Sequence, residues 1–339
     1  MTSNKPPGKR VRSFEVASLA NISRSTVSRA LSGDPQIPPA TRERVLKAAA
    51  QLGYTPNLIA RGLKNQKTAI VGLVISELEN PFYALLLDAL NRGLEDNGLA
   101  SLLFVCPDIK RFDDIVPRLM SYQVDAVVVA AGPLSSVIAE QCSAAGKPLV
   151  YVNRYGQQDG TSVVSGENFR GGELAAEHLI ATGARTFGYL AGLEETSTTR
   201  DREIGFRRRL AEHGISHIRR DIGYYSYEGA VDAAHRLLSD MPDAIFCDND
   251  AMAVCLVDIA RVHYGIEIPE RLGVVGYDNT PVSALPAYQL TTIDQRIDQM
   301  AQTTVELLVG LIDDPDAGPQ KRFVTPRLVR RATTRFSSR

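Results

Sequence analysis

The chain has 339 residues, a net charge of −1 at pH 7 and 44 % apolar residues, which is enough for a small head and a two-domain body with hydrophobic cores. It contains no run of about 18 apolar residues and no apolar signal-peptide core, so we expect a cytoplasmic protein without a membrane span. The four cysteines are scattered and match neither a disulfide framework nor a metal-binding spacing, so neither a metal nor a cofactor is expected.

The charge is divided unevenly along the chain. Residues 1–67 carry a net charge of +9, and the remaining residues carry −10. A basic segment joined to an acidic body is typical of a module that binds a polyanion such as nucleic acid; the alternative is an ordinary solvated surface. Residues 1–12, rich in Lys, Arg, Pro and Gly, are predicted to form a disordered basic arm.

Residues 15–32 predict two short helices joined by a tight polar turn. Ser23 stands at an N-cap position, where its hydroxyl can accept a hydrogen bond from a free amide of the next turn. In the second segment Val27, Ala30 and Leu31 share one face at helical spacing. The opposite face consists of Ser25, Ser28, Arg29 and Ser32. Such a helix, with small hydroxyls and one arginine in front, suits the major groove of DNA; the alternative is a small surface helix hairpin.

A third amphipathic helix is predicted over residues 40–53, with Gly53 as its stop. Three short helices are enough to close a small core. The run from 16 to 29, the TRERV at 41–45 and the GYTPN at 53–57 resemble the LacI/GalR family of transcriptional repressors in order and spacing, and the similarity covers nearly the whole chain.

This resemblance implies a bacterial DNA-binding protein that acts as a homodimer on a pseudo-palindromic operator. It implies an all-α helix-turn-helix head at residues 13–57, followed by a hinge helix and linker at 58–67 that enters the minor groove. Leu63 matches the family's wedging leucine, which would open a central base step and kink the DNA. The alternative for Leu63 is a simple helix-packing residue.

Nine residues are expected to contact DNA. From the second helix, Arg24, Ser25 and Arg29 are expected to read bases, and Ser23 and Thr26 to hold phosphates. The full set is Ser23, Arg24, Ser25, Thr26, Ser28, Arg29, Asn57, Arg61 and Leu63.

From residue 69 onward, short apolar runs alternate with amphipathic segments. The runs are AIVGLVIS at 69–76, SLLFV at 101–105, DAVVVA at 125–130, PLVYVN at 148–153, TFGYLA at 186–191, residues 219–224, DAIFC at 243–247 and LGVVGY at 272–277. This alternation predicts an α/β body with parallel sheets and helices on both faces. Two such halves with a cleft between them suit the capture of a small ligand.

The family resemblance identifies the body, residues 68–339, as two periplasmic-binding-protein-like subdomains between which the chain crosses three times. The implied N-subdomain covers about 68–164 and 293–322, and the implied C-subdomain covers about 165–292 and 323–335.

Polar and aromatic residues follow nearly every predicted strand, and they suit a polyhydroxylated ligand. By resemblance, Arg200, Asn249 and Asp278 match effector-contacting positions of the family, and Phe82, Asn153 and Tyr225 line the same pocket. Arg154 could bind the effector or make a salt bridge, and Asp250 is expected to be an N-cap. The candidate effector-binding residues are Phe82, Asn153, Arg154, Arg200, Tyr225, Asn249 and Asp278.

The ligand is expected to be a sugar or a sugar derivative. Glu194 stands where a purine-binding member of the family would have an arginine, which argues against a purine. Arg154 together with Arg200 would suit an acidic or phosphorylated sugar.

The sequence favours a regulator over other classes of protein. It contains no nucleophile elbow, phosphate loop or metal-ligand run, so an enzyme is not expected. The alternatives are a ligand-binding transport receptor and a purine-type repressor of the same family. The tail after residue 330 has no leucine heptads, so a dimer is expected rather than a coiled-coil tetramer.

Overall fold

The computed structural model describes residues 11–32, 34–55, 67–106, 109–131, 136–156, 160–314 and 316–335. The chain divides into two compact units, residues 1–68 and residues 69–339, and each has its own hydrophobic core.

Three short helices form the described part of the first unit. They are α1 (Ser13–Ala20), α2 (Arg24–Leu31) and α3 (Pro39–Leu52). Each helix contributes one completely buried valine, Val16, Val27 or Val45, so their apolar faces meet in one small core. The predicted all-α head is confirmed.

The ends of these helices follow from local chemistry. Ser23 caps α2, because its Oγ accepts a hydrogen bond from the backbone N of Thr26 at 3.1 Å. Gly53 ends α3 with a φ of 63°, a left-handed conformation that glycine adopts without strain. Both caps were predicted from the sequence.

The second unit contains two six-stranded sheets, and the first of them is entirely parallel. Its strands, in sheet order, are β11 (Lys321–Val324), β5 (Ser162–Gly166), β4 (Leu149–Val152), β3 (Ala126–Ala130), β1 (Ile70–Ile75) and β2 (Ala100–Val105). Successive residues of a strand point to opposite faces, so Leu73 and Ile75 join one core whereas Val74 joins the other. The helices of this half are α4 (Pro81–Asp96), α5 (Ile115–Ser121), α6 (Ser136–Ala144) and α11 (Ile297–Asp313), with a 3₁₀ turn at Ile109–Asp114.

The second sheet repeats this plan with one antiparallel edge strand. Its strands, in sheet order, are β12 (Arg327–Val329), β10 (Thr291–Asp294), β9 (Gly273–Asp278), β8 (Ala244–Cys247), β6 (Phe187–Ala191) and β7 (Ile218–Ile222), and β12 is antiparallel to β10. Its helices are α7 (Asn168–Ala181), α8 (Ser197–Glu212), α9 (Tyr227–Ser239) and α10 (Asp250–Val262), with a 3₁₀ turn at Pro281–Ala284. The predicted α/β body with parallel-dominated sheets is confirmed.

The chain passes between the two sheets three times. The crossings follow β5, β10 and β11, so β11 returns to the first sheet and β12 returns to the second. They therefore fall after Gly166, Asp294 and Val324, slightly beyond the expected boundaries at 164, 292 and 322. The crossings come later than expected because β5 and β11 pair with each other up to Gly166 and Val324, and β10 pairs with its neighbours up to Asp294.

Four helices of the two halves begin just beyond the carboxyl ends of strands on a side chain that caps them. The caps are Asn80 before α4, Thr196 before α8, Ser226 before α9 and Asn249 before α10. These caps fix the loops at the carboxyl ends of the strands, because they satisfy amides that would otherwise lack partners.

All four cysteines are buried and unbridged, so they pack as small apolar residues. Within the described ranges, no group of three or more His, Cys, Asp or Glu side chains could hold a metal ion. No helix among the same residues is long and apolar enough to cross a membrane.

Candidate functional site

The predicted DNA-contacting residues of the head lie together on α2 and its N-cap. Ser23, Arg24, Ser25, Ser28 and Arg29 are exposed, and Thr26 is partly exposed. The opposite face of the helix is buried through Val27 and Ala30. The head thus presents one polar face of small hydroxyls and two arginines, which is the shape that a helix needs to approach base edges.

Hydroxyls at the start of α2 form a small network. The Ser23 Oγ lies 2.7 Å from the Ser25 Oγ and 2.8 Å from the Thr26 Oγ1. The network stands at the positive end of the helix dipole, so its exposed hydroxyls can donate to a phosphate there.

Arg29 is held by the loop that follows α2. Its Nε donates to the Asp34 carboxylate at 2.7 Å, and its Nη2 donates to the Gln36 Oε1 at 2.7 Å. The side chain is half exposed, so it must exchange these partners if it is to reach a base. The guanidinium of Arg29 lowers the pKa of Asp34, which keeps this carboxylate charged. Asn57, Arg61 and Leu63 lie outside the described residues.

A cavity between the two sheets collects most of the predicted effector-binding residues. Its lining is Asn80, Phe82, Tyr83, Asn153, Arg154, Thr198, Arg202, Tyr225, Asp278 and Gln295. Five of the seven candidates are in this set: Phe82 from the first turn of α4, Asn153 and Arg154 from the loop after β4, Tyr225 from the loop after β7, and Asp278 from the end of β9. The side chains fill most of the space, because what remains is large enough for about one water molecule.

Arg154 crosses the cavity from the first half. Its Nη1 and Nη2 lie 2.8 Å and 3.0 Å from the two carboxylate oxygens of Glu77. The guanidinium carbon is 5.9 Å from the ring centres of both Tyr83 and Tyr225, one from each half. The salt-bridge alternative for Arg154 therefore holds, and its Nε is buried without a hydrogen-bond partner.

Arg202, which the sequence interpretation missed, is the second arginine of the cavity. It is completely buried, with its Nε donating to the Asn168 Oδ1 at 2.8 Å and its Nη1 to the Asp248 carbonyl at 2.5 Å. Its guanidinium carbon lies 3.6 Å from the centre of the Tyr277 ring. Helical spacing could have identified it, because Arg202 follows Thr198, which also lines the cavity, by four residues.

The structure corrects the placement of Arg200. This side chain is half exposed outside the cavity lining, where its Nε donates to Asp201 at 2.9 Å. It covers the ring of Tyr155, whose hydroxyl donates to Asp201 and whose backbone N donates to the Ser197 Oγ at 2.9 Å. Because Tyr155 follows β4 and Ser197 opens α8, this group is a clasp between the two halves at the rim of the cleft.

Asn153 and Tyr225 both reach the cavity in left-handed backbone conformations, with φ values of 71° and 60°. Asn153 donates to the Tyr83 hydroxyl at 3.1 Å, while its Oδ1 is buried without a partner. The Tyr225 hydroxyl pairs with the hydroxyls of Thr198 at 2.9 Å and Thr199 at 2.6 Å. Phe82 packs edge-on against Tyr83 at 5.1 Å, so it supplies an apolar wall.

Asn249 has a structural task that the sequence analysis assigned to Asp250. The Asn249 Oδ1 caps α10 by accepting from the Met252 backbone N at 3.0 Å, and its Nδ2 donates to the Tyr225 carbonyl at 3.0 Å. Asn249 lies outside the cavity lining, and it supports Tyr225 through the hydrogen bond to its backbone carbonyl. Asp250 is the first helical residue, and its carboxylate accepts from Thr280 and Thr292 instead.

Asp278 lies in the cavity beside Gln295, a second residue that the sequence interpretation missed. The Gln295 Nε2 donates to the Asp278 carboxylate at 2.6 Å, and the Gln295 Oε1 is buried without a partner. Burial raises the pKa of Asp278 well above its usual value, although nearby Arg202 opposes the shift. Asp278 ends β9, and Gln295 follows the neighbouring strand β10, where the chain makes its second crossing.

Glu194 does not bear on a purine ligand. It is exposed and pairs with Arg220 at 3.0 Å on the surface of the second half. Because Glu194 is not among the residues that line the cavity, it gives no reason to exclude a purine.

Comparison with known proteins agrees with this geometry. The family description "Bacterial regulatory proteins, lacI family" matches residues 14–57, and "Periplasmic binding protein-like domain" matches residues 176–334. The transcriptional regulator CelR of Thermobifida fusca is 31 % identical over 325 residues, which cover 93 % of this chain and 95 % of that protein.

Two solved structures share the whole fold. The transcriptional regulator CelR–cellobiose complex has a TM-score of 0.74 and 29 % identity, covering 96 % of this chain and 100 % of that one. The Lac repressor dimer bound to operator and the anti-inducer ONPF has a TM-score of 0.85 and 25 % identity, covering 96 % and 99 % of the two chains.

Proposed function

Because the chain belongs to the lacI family of bacterial regulatory proteins, which are DNA-binding transcriptional regulators, we propose that it is a repressor controlled by a sugar or sugar derivative. The observation that carries this proposal is the cavity to which both halves of the body contribute side chains. A regulator of this kind acts on the chromosome, so the cytoplasm is its proposed compartment.

The head binds operator DNA through the exposed face of α2. Arg24, Ser25, Ser28 and Arg29 face the base edges, while the hydroxyls of Ser23 and Thr26 hold a phosphate at the helix N-terminus. A homodimer carries two such heads and reads two half-sites of a pseudo-palindrome. The Lac repressor structure, which is a dimer on operator, supports this arrangement.

The effector binds in the cavity between the sheets. Its hydroxyls donate to the buried, unpartnered Oδ1 of Asn153 and Oε1 of Gln295, and they accept from Arg202. Phe82, Arg154, Tyr225 and Asp278 complete the contacts. Asn249 acts indirectly by supporting Tyr225, and Arg200 lies on Tyr155 at the rim without a contact to the effector. The CelR–cellobiose complex supports a carbohydrate ligand.

Ligand binding changes the relative arrangement of the two halves. The lining side chains leave room in the cavity for about one water molecule. The Tyr155 clasp and the side chains around Arg154 must therefore shift to admit a sugar. The three crossing segments carry this change through the body. The coupling between sugar and operator is reciprocal and typically amounts to about 1–3 kcal/mol.

Selection of bound fragments from the source genome tests the proposal. The purified full-length protein should enrich a short palindrome, whereas an Arg24→Ala, Ser25→Ala variant should not. Sugars are then titrated against the enriched operator. Failure to enrich any sequence, with and without sugars, would contradict the repressor assignment and favour a ligand-binding protein whose basic head has another role.

A further inference from the structure

Arg154 lines the cavity and is held in an ion pair with Glu77, which stands outside the lining, and a neutral sugar would not need this pair. Arg154 is nine-tenths buried, and both of its terminal nitrogens are engaged by the two oxygens of Glu77 at 2.8 Å and 3.0 Å. This fork is the geometry in which a guanidinium binds any carboxylate, whether from the protein or from a ligand.

The two partners of this pair differ in how easily they can leave it. The Arg154 side chain is 10 % exposed and is fixed between the rings of Tyr83 and Tyr225, whereas the Glu77 side chain is 23 % exposed and stands on the loop between β1 and α4. Glu77 can therefore swing into water, where its charge is well solvated. Arg154 cannot do so, and a buried guanidinium without an anion would be costly.

The remaining charges of the cavity also favour an anion. Arg202 faces the same cavity and is held by uncharged groups, namely the Asn168 amide oxygen, the Asp248 carbonyl and the Tyr277 ring. Burial raises the pKa of Asp278, the carboxyl that lines the cavity beside Gln295, and the charge of Arg202 opposes this shift. Opening the Glu77 pair thus leaves two guanidinium groups facing the ligand.

We infer that the effector is an anionic sugar whose carboxylate or phosphate replaces Glu77 on Arg154. Glu77 now occupies the two terminal nitrogens of Arg154 that the ligand's anionic group would take, and Arg154 is the residue that separates charged from neutral sugars. This inference rests on the proposed function and narrows its ligand class. Polyol hydroxyls still bind Asn153 and Gln295.

Isothermal titration of the full-length protein with matched ligands tests it. The probes are glucose and galactose, the corresponding sugar acids glucuronate and galacturonate, and glucose 6-phosphate. At least one anionic sugar should bind about tenfold or more tightly than its neutral counterpart, as a charge-assisted pair requires. The sugar acids and the phosphate distinguish the two sources of the anionic group.

Three variants identify the residues responsible. Glu77→Gln should tighten binding of the anionic sugar, because it removes the internal competitor without leaving Arg154 unsolvated. Arg154→Gln should remove the preference for the anionic sugar. Arg219 on β7 forms an exposed ion pair with Asp240. Arg219→Gln breaks this pair and is the matched control, which should bind the anionic sugar as the wild type does. Melting curves verify that each variant is folded.

The outcomes separate this inference from the proposed function. If a neutral sugar binds as tightly as its acid and releases the operator, the anionic assignment is wrong while the repressor assignment stands. A charge preference that survives in Arg154→Gln would also overturn it. If no probe binds and none changes operator affinity, both the anionic assignment and the sugar-controlled function fail.

Discussion

Arg200 and Arg202 lie two positions apart on α8 and meet opposite environments. Arg200 is half exposed and paired with Asp201 at the rim, whereas Arg202 is fully buried with Asn168 and Asp248 as partners. Two residues of a helix separate side chains by about 200°, so only one of the pair can face the cleft. The rotation of α8 therefore decides which arginine can contact a ligand.

Substitution of these two arginines should have unequal effects. Arg202→Lys leaves the Asn168 Oδ1 without its planar donor, so the free energy of unfolding should fall by about 1–3 kcal/mol and ligand affinity should fall as well. Arg200→Ala should lower stability by less than about 0.5 kcal/mol and leave ligand affinity nearly unchanged, because the Arg200 side chain is half exposed and lies outside the cavity lining. Urea unfolding and ligand titration measure both. Equal losses of ligand affinity in the two variants would contradict the conclusion that Arg202, and not Arg200, faces the cavity.

Much of the fold could be predicted because the signals are local. Short apolar runs between capping residues marked the strands and helices, and Ser23 and Gly53 marked the ends of helices in the head. The parallel sheets follow, since strands joined by amphipathic helices have few other arrangements. The position of a cavity residue such as Asn153 could also be predicted, because the end of its strand is visible in the sequence.

The remaining site residues depend on geometry that one sequence does not display. The rotation of α8 separates Arg200 from Arg202, and a shift of one residue makes Asn249 rather than Asp250 the cap of α10. Glu77 follows β1 and Arg154 follows β4, and the two meet only after both strands have paired with β3, so their contact has no local signal. Tertiary packing fixed these details.

Arg29 and Asp34 offer a test of the DNA-contacting face. Arg29→Ala should weaken specific operator binding by about 1–3 kcal/mol if the guanidinium reads a base. Asp34→Asn weakens the grip of the loop on Arg29 and removes a negative charge near the DNA, so operator affinity should be unchanged or higher. Fluorescence anisotropy with the selected operator measures both variants. If both substitutions weaken binding equally, Arg29 serves to hold the loop and does not read DNA.

Two glycines should respond oppositely to alanine. A Cβ on Gly172 of α7 would lie 2.0 Å from the Arg202 carbonyl oxygen and 2.8 Å from the Phe206 backbone N, so α7 and α8 would have to separate. Gly172→Ala should therefore destabilise the body by about 1–3 kcal/mol or more. The matched change Gly310→Ala meets nothing within 4 Å on the exposed side of α11, and should stabilise by about 0.5–1 kcal/mol. Urea unfolding measures the free energy of unfolding of both variants. A Gly172→Ala variant as stable as the wild type would show that the two helices can move apart freely.

His178 should make the stability of the body depend on pH. It is buried on α7 with its Nε2 2.8 Å from the Thr334 Oγ1, and burial, assisted by the charge of Arg330, lowers its pKa from 6.5 to about 4. Between these two values the unfolded chain binds the proton and the folded chain does not. The contribution of His178 is thus complete above pH 6.5 and is lost as the pH falls toward 4.

His178→Gln should remove that part of the pH dependence. The difference in unfolding free energy between wild type and variant should shrink steadily from pH 7 to pH 4, as measured by urea unfolding at a series of pH values. Taking the difference isolates His178 from Asp250, whose pKa burial raises to about 6 and which stabilises the folded state on acidification. His217→Gln, at an exposed position, is the control and should run parallel to wild type. A constant difference for His178→Gln would mean that this histidine titrates alike in the folded and unfolded chains, contrary to its burial.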